Sequence, residues 1–158
     1  MERTEIIKEI FTNEKIAKNA NENKQFTRQL ANADIEDYEL DVDYDGLIIL
    51  RRGKWIKGEW LNGKWRDGTW ENGTWWDGDW MLGDWEDGTW KGGLWWSGDW
   101  ESGTWEGGRW KWGSWHDGTW EKGTWKHGEI YNPKTERYEY SEKNPNECEW
   151  SLSYRKAK

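Results

Sequence analysis

Cysteine occurs once in the 158 residues, at Cys148, so no internal disulfide can brace the chain and no cysteine cluster can hold a metal. Histidine occurs twice, His116 and His127, with neither placed at ligand spacing from another donor, and solvated surface is the expectation for both. Leu, Ile and Val are sparse and mean hydropathy is -1.28. No apolar stretch is long enough to span a bilayer, and the opening residues lack the apolar run of a signal peptide, so a cytosolic or particle-associated protein without a membrane is expected. Such a composition alone would suggest disorder, but aromatics at 17% contradict that. If the chain has a core, tryptophan must build it.

Fifteen of the 19 tryptophans recur every fifth residue from Trp55 to Trp125, and fifteen of the 19 glycines keep the same step from Gly58 to Gly128. This W-x-x-G-x repeat runs without insertion or deletion, which marks an architecture before a chemistry. The ring has one job at each step, and the glycine meets one backbone demand, a positive φ or a close approach. Trp65, Trp70, Trp75, Trp85, Trp90, Trp105 and Trp120 are therefore expected to point inward as core.

The flanks are different. Residues 1–36 read as a helical segment, with Ile6, Ile7, Ile10, Phe11, Ile16, Ala17 and Ala20 near helical spacing. Residues 37–54 read as a β-hairpin cap turning at Asp45-Gly46. The array occupies 55–129. Residues 130–158 read as a closing β cap of two or three strands, with a turn at Asn132-Pro133-Lys134-Thr135 and later candidates at Trp150, Leu152 and Tyr154. Non-repeat ends are what a repeat array needs to cover its outermost layers.

Asn-Gly and Asp-Gly pairs in the array suggest a meander of tight hairpins, but parity excludes it. In a three-residue strand the first and third residues aim their hydrogen bonds to one side, whereas successive two-residue hairpins need opposite sides. A solenoid has no such conflict, because each pentad bonds along the axis to the next coil. The chain resembles the pentapeptide-repeat family here: Gly73-Thr74-Trp75, Gly88-Thr89-Trp90, Gly103-Thr104-Trp105 and Gly118-Thr119-Trp120 match its small–polar–large order, with Gly for Ala and Trp for Leu or Phe. That resemblance implies a mainly β, four-sided solenoid with about four pentads per coil. Gly58-Glu59-Trp60-Leu61-Asn62-Gly63-Lys64 is similar to the centre of a MORN repeat. A four-sided coil has a 20-residue register, in which Ile56, Trp76, Trp96 and His116 form one outer column, Leu61, Met81, Glu101 and Glu121 another, and Glu59, Asp79, Asp99 and Thr119 a third.

Little in the chain points to catalysis. Asp41, Asp43, Asp45 and Gly46 match the first half of a calcium loop, but Arg52 stands where the bidentate glutamate belongs, so a strand ending in an Asp-Gly turn is the better reading. Array serines and threonines occupy interchangeable slots, and no nucleophile, base and orienting acid can be picked out. No enzyme activity, catalytic residue, metal or cofactor is expected. The net charge is -8, and residues 67–106 carry ten acids against Lys91 alone, or -9, leaving +1 elsewhere. Such a surface disfavours direct nucleic-acid binding.

The surface signal is apolar. Trp76, Trp96 and Trp112 stand where other pentads place charged residues, and with Ile56, Leu61, Met81 and Leu82 they form the candidate interaction set. A non-enzymatic structural or protein-interaction module follows, docking a protein partner or a second copy of itself through its ends and outer ladder. Runs of Trp-Gly pentads resemble those of uncharacterised phage and viral proteins, which implies a virion component or accessory protein. The alternatives are a carbohydrate-binding adhesin-like module using the exposed tryptophans, and an acidic mimic of DNA that occupies a DNA-binding enzyme.

Overall fold

The computed structural model describes residues 24–43 and 45–156. The apolar positions from Ile6 to Ala20, expected to be helical, and Tyr44 of the expected hairpin lie outside the described residues. A helix α1 (Lys24–Ala31) leads into strand β1 (Asp34–Val42), which pairs antiparallel with β2 (Ile48–Lys57) through the turn containing Asp45 and Gly46. Fourteen two-residue rungs follow, from Glu59–Trp60 to Thr124–Trp125. The chain is a β-solenoid of about five turns.

The coil has three sides and not four. Trp60 pairs in parallel register with Trp75, Trp75 with Trp90, and Trp90 with Trp105, so one turn is 15 residues. Face 1 carries Trp65, Trp80, Trp95, Trp110 and Trp125. Face 2 carries Trp55, Trp70, Trp85, Trp100 and Trp115. Face 3 carries Trp60, Trp75, Trp90, Trp105 and Trp120. The 20-residue register implied by the family resemblance is overturned, and the reason is the shape of indole. Trp70 meets Trp75 edge to face at 6.0 Å and 74°, and Trp75 meets Trp80 at 5.9 Å and 75°. Three such rings close around an axis, whereas a fourth would open a void, which close-packed interiors exclude.

Along the axis the rings stack face on face, Trp75 on Trp90 at 4.8 Å and 6°. Each column is continuous, and every array tryptophan except Trp125 is fully or almost fully buried. Two column ends are aliphatic: Leu50 pairs below Trp65, and Ile130 pairs above Trp115. The repeat thus reaches one unit beyond each boundary read from tryptophan alone. Two backbone bonds tie each pentad to the coil before it, as in Thr74 N–H to Gly58 O at 3.0 Å and Trp76 N–H to Trp60 O at 2.8 Å.

Glycine is required at the corners for both reasons its recurrence suggests. Gly73 has φ +128°, and a Cβ there would lie 2.2 Å from Gly58 O, inside the axial ladder. Its N–H takes no part in the ladder bonds just described and donates to Asn72 Oδ1 at 2.7 Å. The glycines that follow Asn62, Asp67, Asp77, Asp87 and Asp117 donate in the same way to the Oδ1 of the residue before them. The Asx-Gly pairs are therefore corner caps within a solenoid.

Both ends are closed by the chain itself. At the first coil, Gln29 of α1 is buried and its Oε1 accepts from Leu61 N–H at 2.9 Å and Asn62 N–H at 3.2 Å. Leu61 N–H stands in the place of a ladder donor, which in the next coil bonds backward, as Trp76 N–H bonds Trp60 O. At the other end the hairpin Gly128–Asn132 and Arg137–Ser141 extends face 2. The stretch around Trp150, Leu152 and Tyr154, expected as strand, is instead capped by helix α2 (Leu152–Lys156). A helix here brings Ser153 under the last coil, where its hydroxyl accepts from Trp115 Nε1 at 2.9 Å and donates to Gly118 O at 2.7 Å. Asn146 Nδ2 donates to Trp120 O.

Candidate functional site

With the inside uniform, differences between coils lie outside. Each pentad shows solvent the residue before its tryptophan and the two after it, so every face has one outward column and every corner two. The corner glycines carry no side chain, and they floor a channel that runs parallel to the axis between neighbouring columns.

The predicted strip Ile56, Trp76, Trp96 does not exist. A step of four pentads in a three-sided coil moves one face round, which puts Ile56 on the corner after face 2, Trp76 on the corner after face 3 and Trp96 on the corner after face 1. The predicted column Glu59, Asp79, Asp99, Thr119 is dispersed in the same way. The true register creates different neighbours. Leu61 and Trp76 share a column, as Trp76 N–H bonds Trp60 O, and Met81 and Trp96 share another, as Trp96 N–H bonds Trp80 O.

The corner between faces 1 and 2 gathers most of the exposed apolar surface. Met81 and Leu82 lie in one coil, Trp96 in the next and Trp112 in the one after, with exposures of 42%, 49%, 45% and 39%. Trp112 is joined by the edge of His127 at 4.8 Å and by Tyr140 of the terminal hairpin at 6.3 Å. Trp76, on another corner, is engaged by its own neighbours: Lys91 Nζ sits 4.9 Å over its ring, and its Nε1 donates to Glu59 Oε1 at 3.3 Å. Lys91 in turn pairs with Glu106 at 2.9 Å.

Beside that ridge runs a channel of about 380 Å³, floored by Gly83, Gly98 and Gly113. Its walls are Leu82, Ser97 and Trp112 on the corner and Asp84, Asp99 and Ser114 on face 2. Two consecutive coils place acid at both outward positions around the buried ring, as Asp84-Trp85-Glu86 and Asp99-Trp100-Glu101. Partial burial, with Asp99 and Asp67 nearby, raises the Asp84 carboxyl above its ordinary value. Sequence reading registered the acidity but not this clustering, because it depends on the 15-residue step.

At the C-terminal edge of the acids stands an aromatic group. The His116 ring stacks on Tyr131 at 4.2 Å, and its Nδ1 lies 2.8 Å from Tyr138 Oη. Burial, with Glu101 and Asp99 nearby, pushes Tyr138 up to about 12. Both histidines are thus half-buried among rings, where solvated surface had been expected, because the hairpin folds back over the last coil. Tyr138 and Tyr140 appear in sequence only as strand residues.

The partial calcium motif is dispersed over separate partners. Asp43 Oδ1 accepts the N–H groups of Asp45 and Leu47, both at 3.0 Å, and its Oδ2 meets Lys64 at 3.1 Å. Burial raises the Asp43 carboxyl, but these bonds outweigh it and hold it below its ordinary value. Asp41 pairs with Arg51 at 2.7 Å. Among the described residues no three of His, Cys, Asp or Glu converge as a metal site, and no helix is long and apolar enough to cross a membrane. Cys148 is buried, and that burial raises its thiol.

No protein-family model, curated protein or solved structure matches the chain.

Proposed function

We propose that the protein is a non-enzymatic docking scaffold: a Trp-cored prism that fixes the positions of its outer columns, with the corner bearing Met81, Leu82, Trp96 and Trp112 as the contact surface for a protein partner. One observation carries this reading, the concentration of large exposed apolar side chains on a single corner of an otherwise charged surface. Because α1 and the C-terminal cap satisfy the end coils, docking belongs to the sides of the prism and not to its ends. The likeness to phage and viral Trp-Gly pentad runs suggests a virion or accessory setting.

The test uses Met81→Glu combined with Trp96→Glu, two neighbours in one column. Mass by light scattering and capture of partners on the immobilised protein are compared with wild type, with circular dichroism as the folding control. Loss of a complex by a folded variant supports the docking face; capture and mass that match wild type refute it. A glycan array run in parallel separates carbohydrate binding from protein docking.

A further inference from the structure

Asp84, Glu86, Asp99 and Glu101 stand on two consecutive coils, with Asp99 paired to Asp84 and Glu101 N–H bonded to Trp85 O. Like charges opposed across adjacent strands repel. Among the described residues no ion pair reaches any of the four; Lys54, the basic residue of the same outward column, is paired with Glu71 in the coil before. Lys54 acts on Glu86 without contact, and Asp84, Glu86, Asp99 and Glu101 have no ion-pair partner among the described residues, standing between Trp112 on one wall and Tyr138 with His116 at the C-terminal edge.

We propose that face 2 binds an extended, arginine-rich segment of a partner protein, with guanidinium groups on these four carboxylates and a further guanidinium stacked on Trp112. This rests on the docking reading and names its partner's chemistry. A neutral sugar could stack on Trp112 but would leave the carboxylates repelling one another, whereas a cation relieves that repulsion as it binds. A metal ion needs convergent donors, and the carboxylates are spread over two coils. Guanidinium fits both surfaces, since it pairs with carboxylates through parallel N–H donors and lies flat on aromatic rings.

Fluorescein-labelled octa-arginine, titrated with the full chain and followed by anisotropy, is the probe. Binding is expected at low salt and should weaken as salt rises. Asp84→Asn with Asp99→Asn should weaken it by about tenfold or more, while Glu121→Gln with Glu149→Gln, an equal change in net charge elsewhere, should change it by less than about twofold. Trp112→Ala should weaken it at unchanged charge. Equal losses in the two charge variants, no binding by wild type, or binding indifferent to Trp112 overturns the proposal. Such a failure leaves the scaffold reading standing, because that reading falls only if Met81→Glu with Trp96→Glu leaves partner capture intact.

Discussion

The pentad array and its two caps solve one problem, satisfying a coil's rings and backbone, by opposite means. In the array each coil is satisfied by a copy of itself: Trp90 stacks between Trp75 and Trp105 at 4.8 and 4.9 Å, and the ladder bonds repeat unchanged. At the caps no copy exists, and single side chains of unrelated type do the work, Gln29 below and Ser153 and Asn146 above. Repetition tolerates no variation in its repeated parts and nearly any residue elsewhere. A cap depends on a few particular atoms.

The largest effects should therefore come from breaking a repeated element. Trp90→Ala removes a ring from the middle of a stack and should cost about 3 to 5 kcal/mol. At roughly 2 to 4 °C per kcal/mol, thermal melting should fall by about 10 °C. Gly73→Val forces a side chain onto Gly58 O at a φ of +128° and should cost about 3 kcal/mol or more, while Thr74→Val next door, outward and half-buried, should change little. Similar melting temperatures for these two neighbours would show that the corner does not force glycine.

Caps should give intermediate losses. Gln29→Ala leaves the Leu61 and Asn62 N–H groups without their acceptor, and Ser153→Ala strips Trp115 Nε1 and Gly118 O of one shared partner. Each is expected to cost about 1 to 3 kcal/mol. Hydrogen exchange should locate the loosening in the terminal coil beside the mutation, with the central coils still protected.

Outer charge should matter least. Tyr138 holds its proton more tightly when folded, so stability should fall as pH rises from 10.0 to about 12, and Tyr138→Phe should flatten that decline. Asp84 is also raised in the fold, so its contribution improves as pH falls through its folded value. Asp84→Asn should therefore stabilise at neutral pH, by less than about 1 kcal/mol because the group is exposed.

Sequence reading reached the solenoid, the inward rings and the glycine corners because each is dictated within one pentad. The number of sides is a relation between pentads, and a five-residue period is the same for three sides or four. The tandem pairs Trp75-Trp76 and Trp95-Trp96 suggested four, yet they fall on different faces. Better signals were present: Asp84-Trp85-Glu86 and Asp99-Trp100-Glu101 lie one coil apart, as do Gly92-Gly93 and Gly107-Gly108. The orphaned indole donors were also illegible. Trp80 Nε1 donates to Ser97 O at 3.1 Å, but the donors of Trp75, Trp90 and seven other buried rings have no partner among the described residues. Ring stacking fixes each indole first, and its N–H is left wherever the stack puts it. The aromatic group around His116 arises only when the hairpin packs against the last coil.

The three-sided coil can be tested by cross-linking. Thr74 and Thr89 are outward neighbours on face 3, one turn apart, whereas Thr69 and Thr89 are a four-pentad step apart and lie on different faces. With Cys148→Ser as background, Thr74→Cys with Thr89→Cys should close a disulfide under mild oxidation, because neighbouring strands lie within reach of that bond, and Thr69→Cys with Thr89→Cys should stay reduced. Thiol titration of the two folded proteins reads the outcome. A disulfide between positions 69 and 89 beside free thiols at 74 and 89 would contradict the 15-residue turn.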